Sequence, residues 1–203
     1  MPLFDAADPA ARALAPTRVL VAGASGSGKT TAARRIGQAL SIPRHELDAL
    51  HHGTGWVKRP EFEADVDAFS AGPAWVCEWQ YDSARPMLAG RADAMVWLDV
   101  PVRVQMRQVV LRTLGRWVRR EELWNGNREE PPWRVLTNRE HIIRWAWRTR
   151  RAPAVRVREL LAERPELPVV RVRSRRQLRA WLAALAGGAH AQRSVSRRRS
   201  ARG

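Results

Sequence analysis

Residues 23–30 read Gly23-Ala24-Ser25-Gly26-Ser27-Gly28-Lys29-Thr30, which matches the phosphate-binding pattern G-x-x-x-x-G-K-[ST]. Residues 18–22 form a short, mainly apolar run, and residues 30–40 are good helix formers without proline, so a strand should enter the loop and a helix should leave it. In that setting successive backbone N–H groups point at phosphate oxygens, and the positive end of the helix dipole adds to the attraction. The sequence therefore predicts a phosphate-binding loop at residues 23–30.

This pattern also assigns roles to side chains. The chain has 36 basic residues but only two lysines, and one of them is Lys29. We expect Lys29 to reach the β- and γ-phosphates and the Thr30 hydroxyl to bind Mg²⁺, which makes ATP and Mg²⁺ the predicted cofactors. Residues 23–30 and the adjacent Thr31 are the predicted nucleotide contacts.

Composition limits the classes of protein that the chain can form. Its 203 residues fit one domain, or one domain with an inserted lid, and the single cysteine, Cys77, excludes an internal disulfide. No run of 18 apolar residues occurs, and the first residues include acids, so we expect a cytoplasmic protein without a membrane segment. The 36 basic residues outnumber the 20 acidic ones, and the net charge of +16 favours phosphate-bearing partners, whether nucleotides or nucleic acid.

Apolar runs alternate with helical segments along most of the chain. Such alternation predicts an α/β fold with a doubly wound parallel sheet. The predicted strands are residues 18–22, 44–48, 74–78, 94–99 and 168–173. We expect a loose leader at residues 1–16, one domain at 17–186 and a disordered basic tail at 187–203. Residues 115–137 are polar and rich in turns, which predicts a lid.

Several motifs together resemble a known family. They are the phosphate loop, His45-Glu46-Leu47-Asp48-Ala49-Leu50 with Gly55-Trp56, Glu78-Trp79-Gln80-Tyr81, Val96-Trp97-Leu98-Asp99-Val100-Pro101 and Arg173-Ser174-Arg175-Arg176. The combination resembles the small adenylate-kinase-related P-loop proteins often labelled DNA topology modulation proteins, over about residues 17–185. Many of those proteins have Asp-Gly-Asn-Tyr where this chain has Glu78-Trp79-Gln80-Tyr81, so substrate contacts are not carried over at Trp79 and Gln80.

The resemblance implies a nucleoside-monophosphate-kinase fold. That P-loop NTPase fold has three layers. Its central layer is a five-stranded parallel sheet of order 2-3-1-4-5, and it has a helical lid insertion. Asp48 would end strand two and orient an acceptor hydroxyl or the metal; the alternative is a loop cap. Glu78 would end strand three and hold Mg²⁺ through water. Asp99 more often caps the following helix. Arg175, after strand five, would cover the adenine.

Arginines are the natural groups to stabilise charge on a transferring phosphoryl, because the planar guanidinium binds two oxygens at once. The candidates are Arg85 after strand three, and Arg116 and Arg128 within the predicted lid. The alternative for each is a solvated position on a helix face. His51 and His52 are interpreted as part of a polar substrate-side loop without a metal.

These features predict an ATP-binding kinase that transfers the γ-phosphoryl to a small acceptor, a nucleotide or another small and anionic metabolite. The alternative is a nucleic-acid-associated ATP-binding protein or an ATPase, in which the basic lid and tail would contact phosphate backbones. No residue pattern distinguishes the acceptor, ATP from GTP, or the oligomeric state.

Overall fold

A parallel β-sheet forms the centre of the protein in the computed structural model, which describes residues 3–127 and 130–186. The described strands are β1 (Leu3–Asp5), β2 (Arg18–Gly23), β3 (Arg44–His45), β4 (Trp75–Glu78), β5 (Ala94–Leu98) and β6 (Val169–Val172). They lie in the order β1-β6-β5-β2-β4-β3, and every neighbouring pair is parallel. All strands therefore end at the same edge of the sheet, where ligands of such folds bind.

Helices cover both faces of this sheet. Along the described part of the chain they are α1 (Pro9–Ala13), α2 (Lys29–Leu40), α3 (Leu47–His51), α4 (Phe62–Ser70), α5 (Arg85–Arg91), α6 (Val102–Val118), α7 (Ile142–Thr149), α8 (Ala152–Glu163) and α9 (175–186). Residues of α4, α5 and α8 pack with Leu20 and Met95 on one face. Residues of α2 and α9 pack with Val19 and Val96 on the other. Alternate strand residues thus enter two separate apolar cores, which produces three layers.

The predicted sheet is confirmed as parallel, but its strand number and overall order are corrected. The five expected strands keep the expected neighbours, since β3 pairs with β4, β4 with β2, β2 with β5 and β5 with β6. An additional strand, β1, pairs with β6, so the described residues form six strands rather than five.

The leader at residues 1–16 is also corrected over the part that the structure describes. Leu3 pairs with Val169 in the sheet, and Asp8 caps α1 by accepting a hydrogen bond from Ala10 N at 2.8 Å. Ala11 is fully buried, and its carbonyl accepts a hydrogen bond from the Trp181 indole at 2.8 Å. This segment therefore forms part of the packed domain.

The lid insertion begins later than predicted. Helix α6 continues through Gly115 to Val118, because a single glycine costs a helix interior only about 1 kcal/mol. We call residues 119–137 the lid segment; it contains short 3₁₀ turns at Trp124–Gly126 and Pro132–Val135. The predicted tail at 187–203 lies outside the described residues, as does Arg128. No helix in the described ranges is both long and apolar enough to cross a bilayer.

Candidate active site

The loop between β2 and α2 adopts a conformation that only glycine accommodates easily. Gly26 and Gly28 have φ angles of 76° and 93°, in the left-handed region. A Cβ atom on Gly26 would lie 2.5 Å from the Gln105 carbonyl oxygen of α6, whereas no described atom lies within 4 Å of the corresponding position at Gly28. The loop is thus packed against α6 on one side and open on the other, where the N–H groups at the start of α2 can meet a phosphate.

Lys29 lies at the first position of α2 and turns back over the loop. Its Nζ donates a hydrogen bond to the Ala24 carbonyl at 3.3 Å. Burial lowers the pKa of the Lys29 ammonium, while the carboxylates of Glu78 and Asp48 act in the opposite direction, and Arg112 of α6 lowers it further. The ammonium therefore lies among two carboxylates and an arginine, at the place where an anionic phosphate would add a favourable partner.

Glu78 is the last residue of β4, and it is only 1% exposed. Burial raises the pKa of its carboxyl group, as does Asp48, whereas Lys29 and a hydrogen bond with the Thr30 side chain lower it. Its Oε1 is buried without a hydrogen-bond partner among the described residues. A buried, unsatisfied carboxylate oxygen beside a threonine hydroxyl fits Mg²⁺, which prefers oxygen ligands.

Asp48 lies in the first turn of α3, not at the end of a strand as predicted, because β3 stops at His45. Its Oδ1 accepts two hydrogen bonds, one from Gln80 Nε2 at 2.6 Å and one from the Tyr81 hydroxyl at 2.5 Å. The alternative role as a simple loop cap is not seen, since both donors come from the segment that follows β4. The half-buried Asp48 carboxylate is thereby held in one orientation.

Aromatic rings pack around this carboxylate. His51 stacks on Tyr81 with ring centroids 3.9 Å apart and an interplanar angle of 9°. The Tyr81 hydroxyl also lies 3.0 Å from His52 Nε2. His52 in turn contacts Trp56 edge to face, with centroids 5.1 Å apart. We call residues 51–57 the histidine loop.

The lid segment contacts the histidine loop directly. Asn127 is 6% exposed and uses both ends of its amide: Nδ2 donates to the Gly53 carbonyl at 2.9 Å, and Oδ1 accepts from Trp56 N at 3.1 Å. Asn125 Nδ2 donates to the His52 carbonyl. Side-chain amides of the lid segment are therefore hydrogen-bonded to main-chain groups of the loop that carries the histidines.

The predicted arginines that the structure describes, Arg85 and Arg116, differ in their contacts. Arg85 pairs with Asp82, and burial followed by the proximity of Arg156 lowers its pKa. No described contact joins Arg85 to the loop or to Asp48. Arg116 lies at the base of the lid segment, where its Nε is 3.6 Å from Glu121 Oε1 and its guanidinium is 6.0 Å from the Trp124 ring centroid.

The remaining predicted residues are Arg175, Thr31 and Asp99. Arg175 begins α9 and donates a hydrogen bond to Gln108 of α6 at 3.1 Å. Thr31 is exposed on the first turn of α2. Asp99 forms an ion pair with Arg171 and does not cap α6, whose cap position is Pro101.

Sequence reasoning missed the roles of Tyr81, His52 and Asn127. Tyr81 and His52 each stood in a noted motif, but neither motif indicates that the two side chains meet. Asn127 and its partner Trp56 are 71 residues apart. A contact of that kind leaves no local signal in a single sequence.

Comparison with known proteins gives structural resemblances only. No family model matches the chain, and no curated protein is similar to it. A gluconokinase from Sinorhizobium meliloti 1021 is 20% identical with a TM-score of 0.49, covering 91% of this chain and 98% of that chain. A shikimate kinase from Bacteroides thetaiotaomicron is 14% identical with a TM-score of 0.45, covering 84% and 96%. A sugar kinase from Janibacter sp. HTCC2649 is 19% identical with a TM-score of 0.44, covering 85% and 98%. At these scores the interpretation of the site rests on its own geometry.

Proposed function

We propose that the protein is a Mg²⁺-dependent kinase that transfers the γ-phosphoryl group of ATP to a hydroxyl group of a small acceptor. The observation that carries this proposal is the position of Lys29. Its ammonium closes the phosphate loop and interacts electrostatically with Glu78 and with Asp48. One cation therefore interacts electrostatically both with a carboxylate suited to a metal and with a carboxylate suited to an acceptor.

The nucleotide side of this division is supported by the loop and by Glu78. Backbone N–H groups of residues 25–29 would hold the β- and γ-phosphates, and Lys29 would compensate the charge that spreads over the transferring group. Thr30 and Glu78 are the residues that would hold Mg²⁺. When bound, Mg²⁺ supplies further neutralisation of the phosphate oxygens.

The acceptor side is supported by Asp48. An aspartate held by two donors can orient a hydroxyl and accept its proton as the hydroxyl oxygen attacks. The acceptor oxygen forms a bond to the γ-phosphorus while the bond from that phosphorus to the bridging oxygen breaks. ADP leaves with the bonding electrons, and the acceptor proton passes to Asp48. Arg112 of α6, which acts electrostatically on Lys29, would add positive charge near the transferring phosphoryl, and Arg116 would do so from the base of the lid segment.

Two finer statements belong to the same proposal. The first is that the chain is related to the adenylate-kinase-like DNA topology modulation proteins, which rests on the motifs in its sequence. The second is that Arg128 contributes to transfer from the lid segment. The nucleic-acid alternative stays a prediction, because the tail on which it depends lies outside the described residues.

A panel of acceptors tests the proposal. Purified protein with Mg-ATP would be assayed for ADP with nucleoside monophosphates, hexoses and hydroxy acids, against a background without acceptor. The proposal expects ADP above background with one class and an equal amount of phosphorylated acceptor. Equal ADP in every tube, with free phosphate as the other product, would identify an ATPase instead.

A further inference from the structure

A row of polar side chains lies behind the Asp48 carboxylate. We propose that Tyr81 is a positioning residue for phosphoryl transfer: hydrogen bonds run in one direction from His51 through His52 and Tyr81 to Oδ1 of Asp48, and leave Oδ2 to receive the acceptor hydroxyl. The role of Oδ2 rests on the proposed function. The direction of the chain does not, and can be measured in the protein without substrates.

The two oxygens of Asp48 differ in their surroundings. Gln80 and Tyr81 both donate to Oδ1, at 2.6 and 2.5 Å. Within the described residues, Oδ2 receives no hydrogen bond. An ionised carboxylate offers about four acceptor sites on its two oxygens. The fold therefore occupies one oxygen and leaves the other available to a ligand.

The proton of Tyr81 must lie on the bond to Asp48. Burial raises the pKa of the Tyr81 phenol, and the Asp48 carboxylate raises it further, so the hydroxyl stays neutral and has one proton to donate. Its 2.5 Å distance to Asp48 is typical of a hydroxyl donating to a carboxylate, which falls at about 2.5–2.7 Å. The bond to His52, at 3.0 Å, then uses a lone pair of the phenol oxygen. His52 Nε2 is consequently the donor in that pair.

The tautomer of His51 follows from that of His52. A neutral His52 with a proton on Nε2 has a bare Nδ1, and this atom lies 3.4 Å from His51 Nδ1. His51 must therefore carry its proton on Nδ1 and donate it to His52. A proton on Nε2 of His51 instead would leave two bare nitrogens with their lone pairs facing each other across this gap.

Packing prevents the Tyr81 phenol from turning away from this series of hydrogen bonds. Tyr81 has a φ of 63°, a conformation that non-glycine residues adopt only when surrounding contacts impose it. Its carbonyl accepts hydrogen bonds from Ala84 N at 3.1 Å and Arg85 N at 3.0 Å, at the start of α5. Phe62 meets the ring edge to face, with centroids 5.2 Å apart. Backbone and ring are both fixed, so the hydroxyl points steadily at Oδ1.

The tautomers of the two histidines give a direct test. The full chain would be labelled with ¹⁵N in histidine, and long-range ¹H–¹⁵N spectra would show which nitrogen of each ring bears the proton. We expect His52 to be protonated on Nε2 and His51 on Nδ1. His45, which stacks on Phe69 and takes no part in this series of hydrogen bonds, serves as an internal control. A proton on Nδ1 of His52 in the neutral ring would overturn the inference.

The variant Tyr81→Phe then tests the positioning role. It removes the acceptor of the His52 bond, so the ¹⁵N resonances of His52 should shift toward a mixture of tautomers while those of His45 stay in place. With an acceptor found in the panel, kcat should fall about 10- to 100-fold, as expected for loss of a hydrogen bond to a charged group, with KM for ATP unchanged. Unchanged His52 resonances together with an unchanged kcat would refute the role. If this variant does not fold, the wild-type tautomers still decide the direction of the chain.

The two proposals can fail separately. If no acceptor is phosphorylated, the proposed function fails, whereas the tautomers of His51 and His52 still confirm or refute the directed chain. If an acceptor is phosphorylated and the tautomers are reversed, the kinase proposal stands and the positioning role of Tyr81 does not.

Discussion

The phosphate loop and the Asp48 cluster meet at one edge of the sheet but are built in opposite ways. The loop is eight consecutive residues whose backbone angles and N–H groups form the site. The cluster draws Asp48, His52, Tyr81 and Asn127 from segments that are far apart in sequence, and side chains do the work. A site made by backbone can be recognised in the sequence, whereas a site made by distant side chains depends on the whole fold.

In the phosphate loop, the largest loss of activity is expected from replacing Lys29, its one cation. Replacing Lys29 by alanine should lower the transfer rate on the order of 10³- to 10⁵-fold, the range found for an arginine that stabilises a transferring phosphoryl. The change is measured as ADP formed per enzyme with saturating acceptor. Lys58 provides the matched control, because it is the second lysine and its Nζ is 2.5 Å from Glu63 Oε1 on the surface. Similar losses in both variants would contradict the assignment of Lys29.

In the Asp48 cluster, the corresponding substitution is at Asp48. The isosteric change Asp48→Asn keeps an oxygen but removes the charge, so kcat should fall on the order of 10²- to 10⁴-fold, the usual contribution of a general base. ATP affinity should stay within a small factor, because the phosphate loop is untouched. Titration with a fluorescent ATP analogue beside the rate assay separates these effects. A large loss of nucleotide affinity with kcat retained would place Asp48 on the metal rather than on the acceptor.

Two glycine substitutions test the backbone conformation of the phosphate loop through the stability of the protein. Gly26→Ala would place a methyl group 2.5 Å from the Gln105 carbonyl at a φ of 76°, and should lower the free energy of unfolding by about 1–3 kcal/mol. Gly90, inside α5, has open space at its Cβ position. Gly90→Ala should raise the free energy of unfolding by about 0.5–1 kcal/mol. Urea unfolding measures both changes in free energy. If the two changes had the same sign, backbone angle and contact would not explain the need for glycine at position 26.

The smallest expected effect is the acid sensitivity of the cluster. Burial lowers the pKa of His51 below its ordinary value of 6.5, with His52 and Lys58 acting in the same direction and Asp48 and Glu63 against it. The unfolded chain therefore binds more protons than the folded protein below about pH 6.5, so this contribution to stability is complete above that pH and is lost as the pH falls.

Urea unfolding between about pH 8 and pH 5 measures this dependence. The variant His51→Gln should show a shallower slope than the wild-type protein. Burial also lowers the pKa of His45, which supplies part of the slope that remains. An identical slope in the variant would show that His51 has no share in the effect.

The sequence predicts the centre of the molecule better than its periphery. The strand before the phosphate loop, the parallel sheet and the neighbours of the five expected strands follow from continuous apolar runs, which occur because both faces of the sheet are covered. The strand Leu3–Asp5 has only three residues, too few to show a period, and it exists through its pairing with β6. Strand β3 was expected to reach Asp48 but ends at His45, where α3 takes over.

The candidate site divides in the same way. The loop residues follow from the motif, and the position of Glu78 at the end of a strand next to the loop strand follows from the strand order that the resemblance implies. The orientation of Asp48 by Gln80 and Tyr81, and the attachment of Asn127 to the histidine loop, depend on loops of irregular shape. Such contacts are set by tertiary packing, and propensity and periodicity contain no information about them.

The edge strand β1 has a consequence for synthesis of the chain. Leu3 is made well before its partner Val169 of β6, because most of the described domain lies between them in sequence. During translation this segment remains unpaired, with its apolar side chains unburied, while β2, β4 and β5 can already assemble. Closing of that edge, together with the contact between Trp181 and Ala11, is therefore a late event that joins the two ends of the described fold.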